Sequence, residues 1–405
     1  MKTIYIIGAL LLTQTAQAQN LKWTQYNSPY ADTKATYAVS FSADGSKVFS
    51  GSECSPSYLR IFNTETGNIL WDYKVDDALM CIQGVRLNSN GTRAAAIEEL
   101  GNLLVFDYTT SPPTLLNTFP LGVTYSFSVN FSPDNSKLAV GGSDKKLLIY
   151  NIASGTLIRT VTAHLNWVMC SDWTAQEKII TGGDDATVKV WDTAGNLLKT
   201  MTGHTGSIYG VKATPNGNYI VSGSKDKTIK IWDAATGSLV RTLTGHTDEV
   251  KFVDVSDDGA KIVSGSKDGS IRIWDFNTGA QLKKFGKTGL GTVYSVDFSP
   301  NGKYVAAGTD KGEVQVWDLT FNTSVKTMEN TTTRIYPNPC ADLLQVAGNN
   351  VENITVLDAA GKIYFLPISK TGDNIRINTT SLPTGNYWLK VIADQQTSTT
   401  PFIKK

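Results

Sequence analysis

The sequence contains only three histidines, and each stands in the same frame of a hydroxyl, a carboxylate and a tryptophan. His204 precedes Ser222, Asp226 and Trp232, and His246 precedes Ser264, Asp268 and Trp274. His164 precedes Thr181, Asp185 and Trp191 through a turn one residue shorter. A hydroxyl, an imidazole and a carboxylate are the parts of a nucleophilic triad. A triad, however, is assembled once per active site, and this set is written three times at near-constant spacing. The repetition argues for wiring that holds each copy together, and it leaves no histidine for acid–base work.

The other chemical-looking stretches carry less. Phe285-Gly286-Lys287-Thr288 has the tail of a phosphate-binding loop, but the glycine required five residues before Gly286 is Gln281. The stretch also sits between two strand patterns, with no helix to follow. The acid pairs Asp184-Asp185 and Asp257-Asp258 read as solvated turns, with Ca²⁺ the only metal they could suit. Cys54, Cys81, Cys170 and Cys340 show no C-x-x-C spacing, so neither zinc nor any other metal or cofactor is expected. Cys54 and Cys81 fall in loops expected on one face and can pair in an oxidising compartment. Cys170, on an inner strand, reads as a buried thiol.

What must position the three sets is a repeat. Seven aromatic-plus-Asp/Asn pairs, from Phe62-Asn63 to Trp317-Asp318, follow one another at spacings of 44, 44, 41, 41, 42 and 43. Each unit holds an alternating run and a tight turn such as Asp44-Gly45 or Asn301-Gly302. Two further strands and a Thr-Gly or Ala-Gly turn lead to a fourth. Asn-Gly and Asp-Gly predict type I′ hairpins, and the whole unit predicts a four-stranded antiparallel meander. One such sheet cannot cover both its faces, so neighbours must stack around a channel. Closing the ring needs an outer strand for the last sheet. Leu21–Tyr26 and Thr323–Met328 both fit, the second in register with Ser238-Leu239-Val240-Arg241-Thr242-Leu243.

These residues resemble the WD-repeat β-propeller family over about residues 21 to 328. The fourth to sixth copies carry the family motif fully. The first three have Phe-Asn, Phe-Asp and Tyr-Asn in place of Trp-Asp and lack Gly-His. The resemblance implies an all-β, seven-bladed propeller in which Asp, His, Ser/Thr and Trp form a buried hydrogen-bonded chain. It also implies that partners bind at the channel rim. The aligned rim row is Tyr37, Gln83, Phe127, Met169, Tyr209, Lys251 and Tyr294, and two residues earlier come Tyr125 and Trp167. Rigid aromatics there suit a binding surface; packing between sheets would use the same rings.

After a Thr/Asn-rich linker the periodicity changes, and alternating runs with turns at Ala360-Gly361, Thr371-Gly372 and Thr384-Gly385 predict a small β-sandwich. The segment resembles the C-terminal sorting domain of type IX secretion substrates. The resemblance rests on Pro337, Asn338 and Pro339 after Tyr336, on Asp342, on Gly361 after Asp358, on Gly385 and Tyr387, and on the final Phe402-Ile403-Lys404-Lys405. It implies recognition by that machinery at the outer membrane, usually with removal of the tail. The competing reading is an accessory binding domain that stays attached.

At the other end, Lys2, the apolar run Ile4–Leu12 and Ala16-Gln17-Ala18 read as an export signal of residues 1–18, with no cysteine after it to carry a lipid. The expected organisation is signal 1–18, propeller 19–328, linker 329–334 and sorting domain 335–405. A net charge of +1 gives no attraction to nucleic acid, and no later run is long enough for a membrane helix. The function expected is a non-catalytic protein-interaction scaffold, secreted or at the cell surface, binding a protein or peptide at its rim. A glycan-binding lectin, or a propeller glycan hydrolase or lyase, is the alternative.

Overall fold

The computed structural model describes residues 21–26, 35–52, 57–75, 81–99, 101–122, 125–286, 291–320, 334–336, 340–347, 351–358, 363–364, 366–371, 374–393 and 396–405. It divides into two compact units, one up to Phe321 and one from Asn322. The described residues are all strand, turn and loop, with no helix. None therefore forms a helix able to cross a membrane.

The first unit holds seven four-stranded antiparallel sheets among its described residues. Their innermost strands are Thr36–Phe41, Ile82–Leu87, Ser126–Phe131, Val168–Trp173, Ile208–Ala213, Val250–Val255 and Val293–Phe298. Each packs against the next, and the last packs against the first. We number these sheets as blades 1 to 7. Apolar side chains fill the space between neighbours: Val250 and Val253 of blade 6 share one core with Val221, Ile229 and Ile231 of blade 5.

Glycine sets how closely the blades approach. In six blades the second strand places a glycine against the first residue of the neighbouring inner strand. An added Cβ would lie 2.7 Å from Val250 at Gly223 and 2.7 Å from Val293 at Gly265. At Gly308 it would lie 2.6 Å from the Thr36 carbonyl. Real side chains do not sit this near, so only glycine fits. Gly265→Val is therefore expected to destabilise the protein by about 1–3 kcal/mol through overpacking, read as a lower denaturation midpoint. Val240→Ala, on an exposed outer strand, serves as the near-neutral control.

The tight turns differ from expectation in type. Gly45, Gly91, Gly217, Gly259 and Gly302 are left-handed, at φ between 64° and 74°, but their Asp or Asn neighbours are not. Gly45 N donates to Ser42 O at 2.7 Å. The loop is thus a type I turn closed by one left-handed residue, not a type I′ pair. The Asp earns its place with its side chain: Asp44 Oδ1 accepts from Ser42 Oγ and Ser46 N at 2.5 and 3.0 Å.

Blade 7 takes Leu21–Tyr26 as its outer strand, antiparallel to Glu313–Asp318. Thr323–Met328, the rival for that edge, lies outside the described residues. The closing strand also grips blade 1. Trp23 Nε1 donates to Thr64 O at 2.8 Å, its ring meets Phe62 at 5.8 Å, and Lys22 pairs with Glu65 at 2.7 Å.

The second unit has two four-stranded sheets. Leu344, Val346, Ile375 and Ile377 from one share a core with Val356, Tyr387, Leu389 and Phe402 from the other.

Candidate functional site: the channel mouth and its supports

In blades 4, 5 and 6 the histidine lies in the loop leading to the inner strand, the hydroxyl on the second strand and the tryptophan on the third. His246 Nδ1 lies 2.9 Å from Asp268 Oδ2, and its Nε2 lies 2.7 Å from Ser264 Oγ. Trp274 Nε1 donates to the same Oγ at 2.9 Å. His204 repeats this with Asp226, Ser222 and Trp232 at 2.7, 2.8 and 2.8 Å. His164 does so with Asp185, Thr181 and Trp191 at 2.9, 2.8 and 2.9 Å.

The donor count fixes the protons. Trp N–H fills one lone pair of Oγ, so Oγ–H donates to Nε2, and Nδ1–H donates to the carboxylate. That neutral tautomer satisfies every atom. These are the proton positions of a working triad, but Thr181, Ser222 and Ser264 are fully buried, so no substrate reaches the hydroxyl.

Burial lowers all three imidazole pKa values below the ordinary 6.5, against the pull of their aspartates. Burial also pushes Asp226 up, but hydrogen bonds from Thr228, His204 and the Thr205 N–H outweigh it and bring Asp226 down to about 2. Asp185 and Asp268 are lowered in the same way. An unfolded histidine binds its proton near pH 6.5 while the folded one resists, so acid favours the unfolded chain. Stability is expected to be full above about pH 7 and to fall as pH drops through 6 and below, the carboxylates adding to the loss further down. Denaturation midpoints from pH 8 to 4 check this; a midpoint rising as pH falls from 7 to 5 contradicts it.

The rim row lines one cup at the channel mouth, of about 210 Å³. Tyr37 and Tyr294 meet edge to face at 5.0 Å, Phe127 stacks on Trp167 at 5.5 Å, and Lys251 Nζ sits 3.9 Å over the Tyr209 ring. Lys251 also pairs with Glu249 at 2.6 Å. Outside the cup, Trp167 is 43% exposed, Tyr125 39% and Leu165 82%. Leu165 was not picked out in sequence, because a lone leucine in a loop has no period to betray it.

A second row was also missed. Three residues beyond the mouth position come Ser40, Arg86, Asn130, Asp172, Lys212, Asp254 and Asp297, one per blade. Most of them stitch neighbours together. Asp172 Oδ2 accepts Ala213 N at 2.9 Å, Asp254 Oδ2 accepts Phe298 N at 2.9 Å, and Asp297 Oδ2 accepts Phe41 N at 2.7 Å. Lys212 Nζ lies 3.2 Å from Asp254. Burial, with Asp254 nearby, raises Asp297 to about 7; burial raises Asp172 as well. These carboxylates are seam bonds across blades 4–5, 6–7 and 7–1.

The expected solvated acid pair at Asp184-Asp185 needs correction. Asp185 is a buried tetrad member. Asp184 takes hydrogen bonds from Asn166 and from Ser207 of the loop to blade 5. Both side chains have nearby donors, which a turn reading did not foresee. Asp257 and Asp258 are exposed. Among the described residues no group of His, Cys, Asp and Glu could hold a metal ion.

Cys81 is disulfide-bonded, while Cys170 and Cys340 are free and buried. Cys54 lies outside the described residues. So do Pro337, Asn338, Pro339 and Gly361 of the tail. Asp342 is exposed, and Lys404 reaches it at 3.5 Å. Tyr387 stacks on Phe402 at 5.6 Å and donates to Pro383 O at 2.9 Å, two residues before Gly385.

Comparison with known proteins matches two family models. The WD domain, G-beta repeat, matches residues 117–151, 155–192, 195–233, 237–275 and 279–318. The secretion system C-terminal sorting domain matches residues 334–405. Blades 1 and 2 lie outside the matched repeats, yet they form the same four-stranded sheets. Curated relatives include cilia- and flagella-associated protein 52 of Macaca fascicularis, 23% identical over 54% of this chain and 38% of the relative. They also include nuclear distribution protein nudF of Aspergillus niger, 27% identical over 23% of this chain and 26% of the relative. The guanine nucleotide-binding protein subunit beta-1 of Homarus americanus is 27% identical over 33% and 41%. The chain thus spans well under half the length of these relatives. Tandem four-stranded sheets, three identical buried tetrads and the matched models together place the chain: it is a WD-repeat protein that ends in a type IX C-terminal sorting domain.

Proposed function

We propose that this protein is an exported, non-catalytic scaffold: a seven-bladed propeller, cleaved from a signal of residues 1–18, that binds a protein partner at its channel rim outside the cell or on its surface. The observation that carries this is the exposed apolar group Tyr125, Leu165 and Trp167 beside the cup, with Leu165 N donating to Asp185 of the His164 tetrad and Tyr125 N to Ser143 Oγ. Aromatic and aliphatic side chains held rigid offer contact area at little entropic cost. The leucine favours a protein surface over a glycan, since sugar faces stack on rings. The sorting domain supplies the route, with Asp342 and Lys404 near the chain end as parts of its recognised fold.

Catalysis is disfavoured because the imidazoles are occupied and the channel aspartates accept seam bonds. Mature protein is expected to show no turnover on a broad polysaccharide panel. Capture of surface material by wild type should be reduced at least fivefold in Trp167→Ala and Tyr209→Ala. Equal capture by all three sinks the rim reading.

A further inference from the structure

Arg86 lines the cup. The side chain leaves blade 2 and crosses the channel until its guanidinium lies 4.9 Å over the ring of Phe252 on blade 6. Its Nε donates to Asn130 Oδ1 of blade 3 at 3.1 Å, and its Nη1 donates to the Val85 and Val39 carbonyls at 3.0 and 3.4 Å. Nη2 makes no hydrogen bond to the described residues. Guanidinium N–H groups come in planar forks matched to carboxylates, and here one end of the fork is spare in the lining of the cup.

The charges on the cup wall have one sign. Arg86 and Lys251 line it, and no Asp or Glu does. Glu249 holds Lys251 from outside the lining, and the seam carboxylates Asp172 and Asp297 act on the Arg86 charge from outside the lining while each accepts a backbone N–H. The remaining wall mixes aromatic and apolar side chains, chiefly Tyr37, Tyr209 and Tyr294, with the neutral polar Gln83, Ser128, Asn130, Ser171 and Ser295; burial beside the rings strengthens any charge pairing with Arg86. The volume, about 210 Å³, admits a side chain and excludes a folded element.

We propose that the cup receives a carboxylate carried on a peptide chain of the partner, an Asp or Glu side chain, and that Arg86 Nη2 is the donor that reads it. This rests on the rim reading above and names the group that enters. The aromatics supply the wall for the carboxylate's short stem, and the exposed Trp167 and Leu165 hold the flanking residues.

The test pans a phage-displayed random heptapeptide library on the full-length protein. Asp or Glu should be enriched at least fivefold at one position. A synthetic peptide of the selected sequence should bind at least tenfold more weakly when that residue becomes Gln or Asn, a comparison that needs no protein variant. Arg86→Met should lose the peptide, whereas Arg86→Lys should keep part of the affinity; circular dichroism melts confirm that both fold. Selected peptides without an acid, or unaltered binding to folded Arg86→Met, overturn the carboxylate. If those peptides still depend on Tyr209 and Trp167, the rim reading survives alone. If neither ring matters either, or no peptide is enriched, both fall.

Discussion

His246→Ala is expected to destabilise the protein by about 3–5 kcal/mol, the cost of breaking a buried charged network by removing one partner. The substitution strands one group and weakens two others. Asp268 loses the Nδ1–H beside it, though the Thr247 N–H and Ser270 still donate to it. Ser264 Oγ–H, fully buried, loses its acceptor while Trp274 continues to donate. The imidazole's own contact with the Trp274 ring, at 6.0 Å, goes too. Asp268→Ala should cost nearly as much, and the double variant far less than the sum, because the two act through one network. An additive double variant, or a loss under 1 kcal/mol for His246→Ala, would show that the tetrad is decoration. The same arithmetic gives a directional contrast around the ring. Blade 7 has Ala307 where blade 6 has Ser264, and Trp317 Nε1 instead reaches Gln315 at 3.2 Å. Gln315→Ala should therefore cost only about 1–2 kcal/mol, the loss of a single buried bond.

How much of this was legible before any coordinates depends on whether a feature repeats. The blades were readable because each four-strand phrase recurs and the first turn is marked by Gly or Asn in six of the seven, Glu177 taking the left-handed position in blade 4. The tetrads were readable because the same frame is spelled three times. Arg86 and the seam aspartates were not, since their position in the repeat holds Ser, Arg, Asn, Asp, Lys, Asp and Asp in turn. No residue type announces it, and strict two-residue alternation from the mouth row misses it, because a bulge at each mouth residue shifts the register of the inner strand. Leu165 escaped for a similar reason. Turn type was misjudged because Asp-Gly serves two loop geometries, and the difference lies in the hydrogen bond to Ser42, not in the pair itself. Ring closure was undecidable from pattern, as both segments alternate correctly; packing of Trp23 against blade 1 breaks the tie.

That tie-break sets the second large effect. Deleting residues 19–26 removes the fourth strand of blade 7 and exposes the Glu313–Asp318 edge, along with the surface that Trp23 covers on Phe62. Trp23→Ala alone should cost about 3–5 kcal/mol, as for other buried tryptophans, and the deletion more. Trp23 is 9% exposed and its indole N–H has a buried carbonyl partner, so the substitution loses both packing and a hydrogen bond. Removing Thr323–Met328 instead should change stability by no more than about 0.5 kcal/mol if Leu21–Tyr26 alone closes the ring. The two deletions decide the matter by opposite outcomes in one denaturation assay: if loss of Thr323–Met328 opens the ring while loss of 19–26 does not, the closing strand is the other one. The consequence reaches the tail. Among the described residues, a ring latched by its N-terminal strand takes its closing strand pairs from residues before Leu319, and cutting the chain beyond Phe321 removes none of those pairs. Cleavage between residues 322 and 333 by a protease should then leave the propeller's own transition where it was, whereas a ring closed by the linker side would lose it.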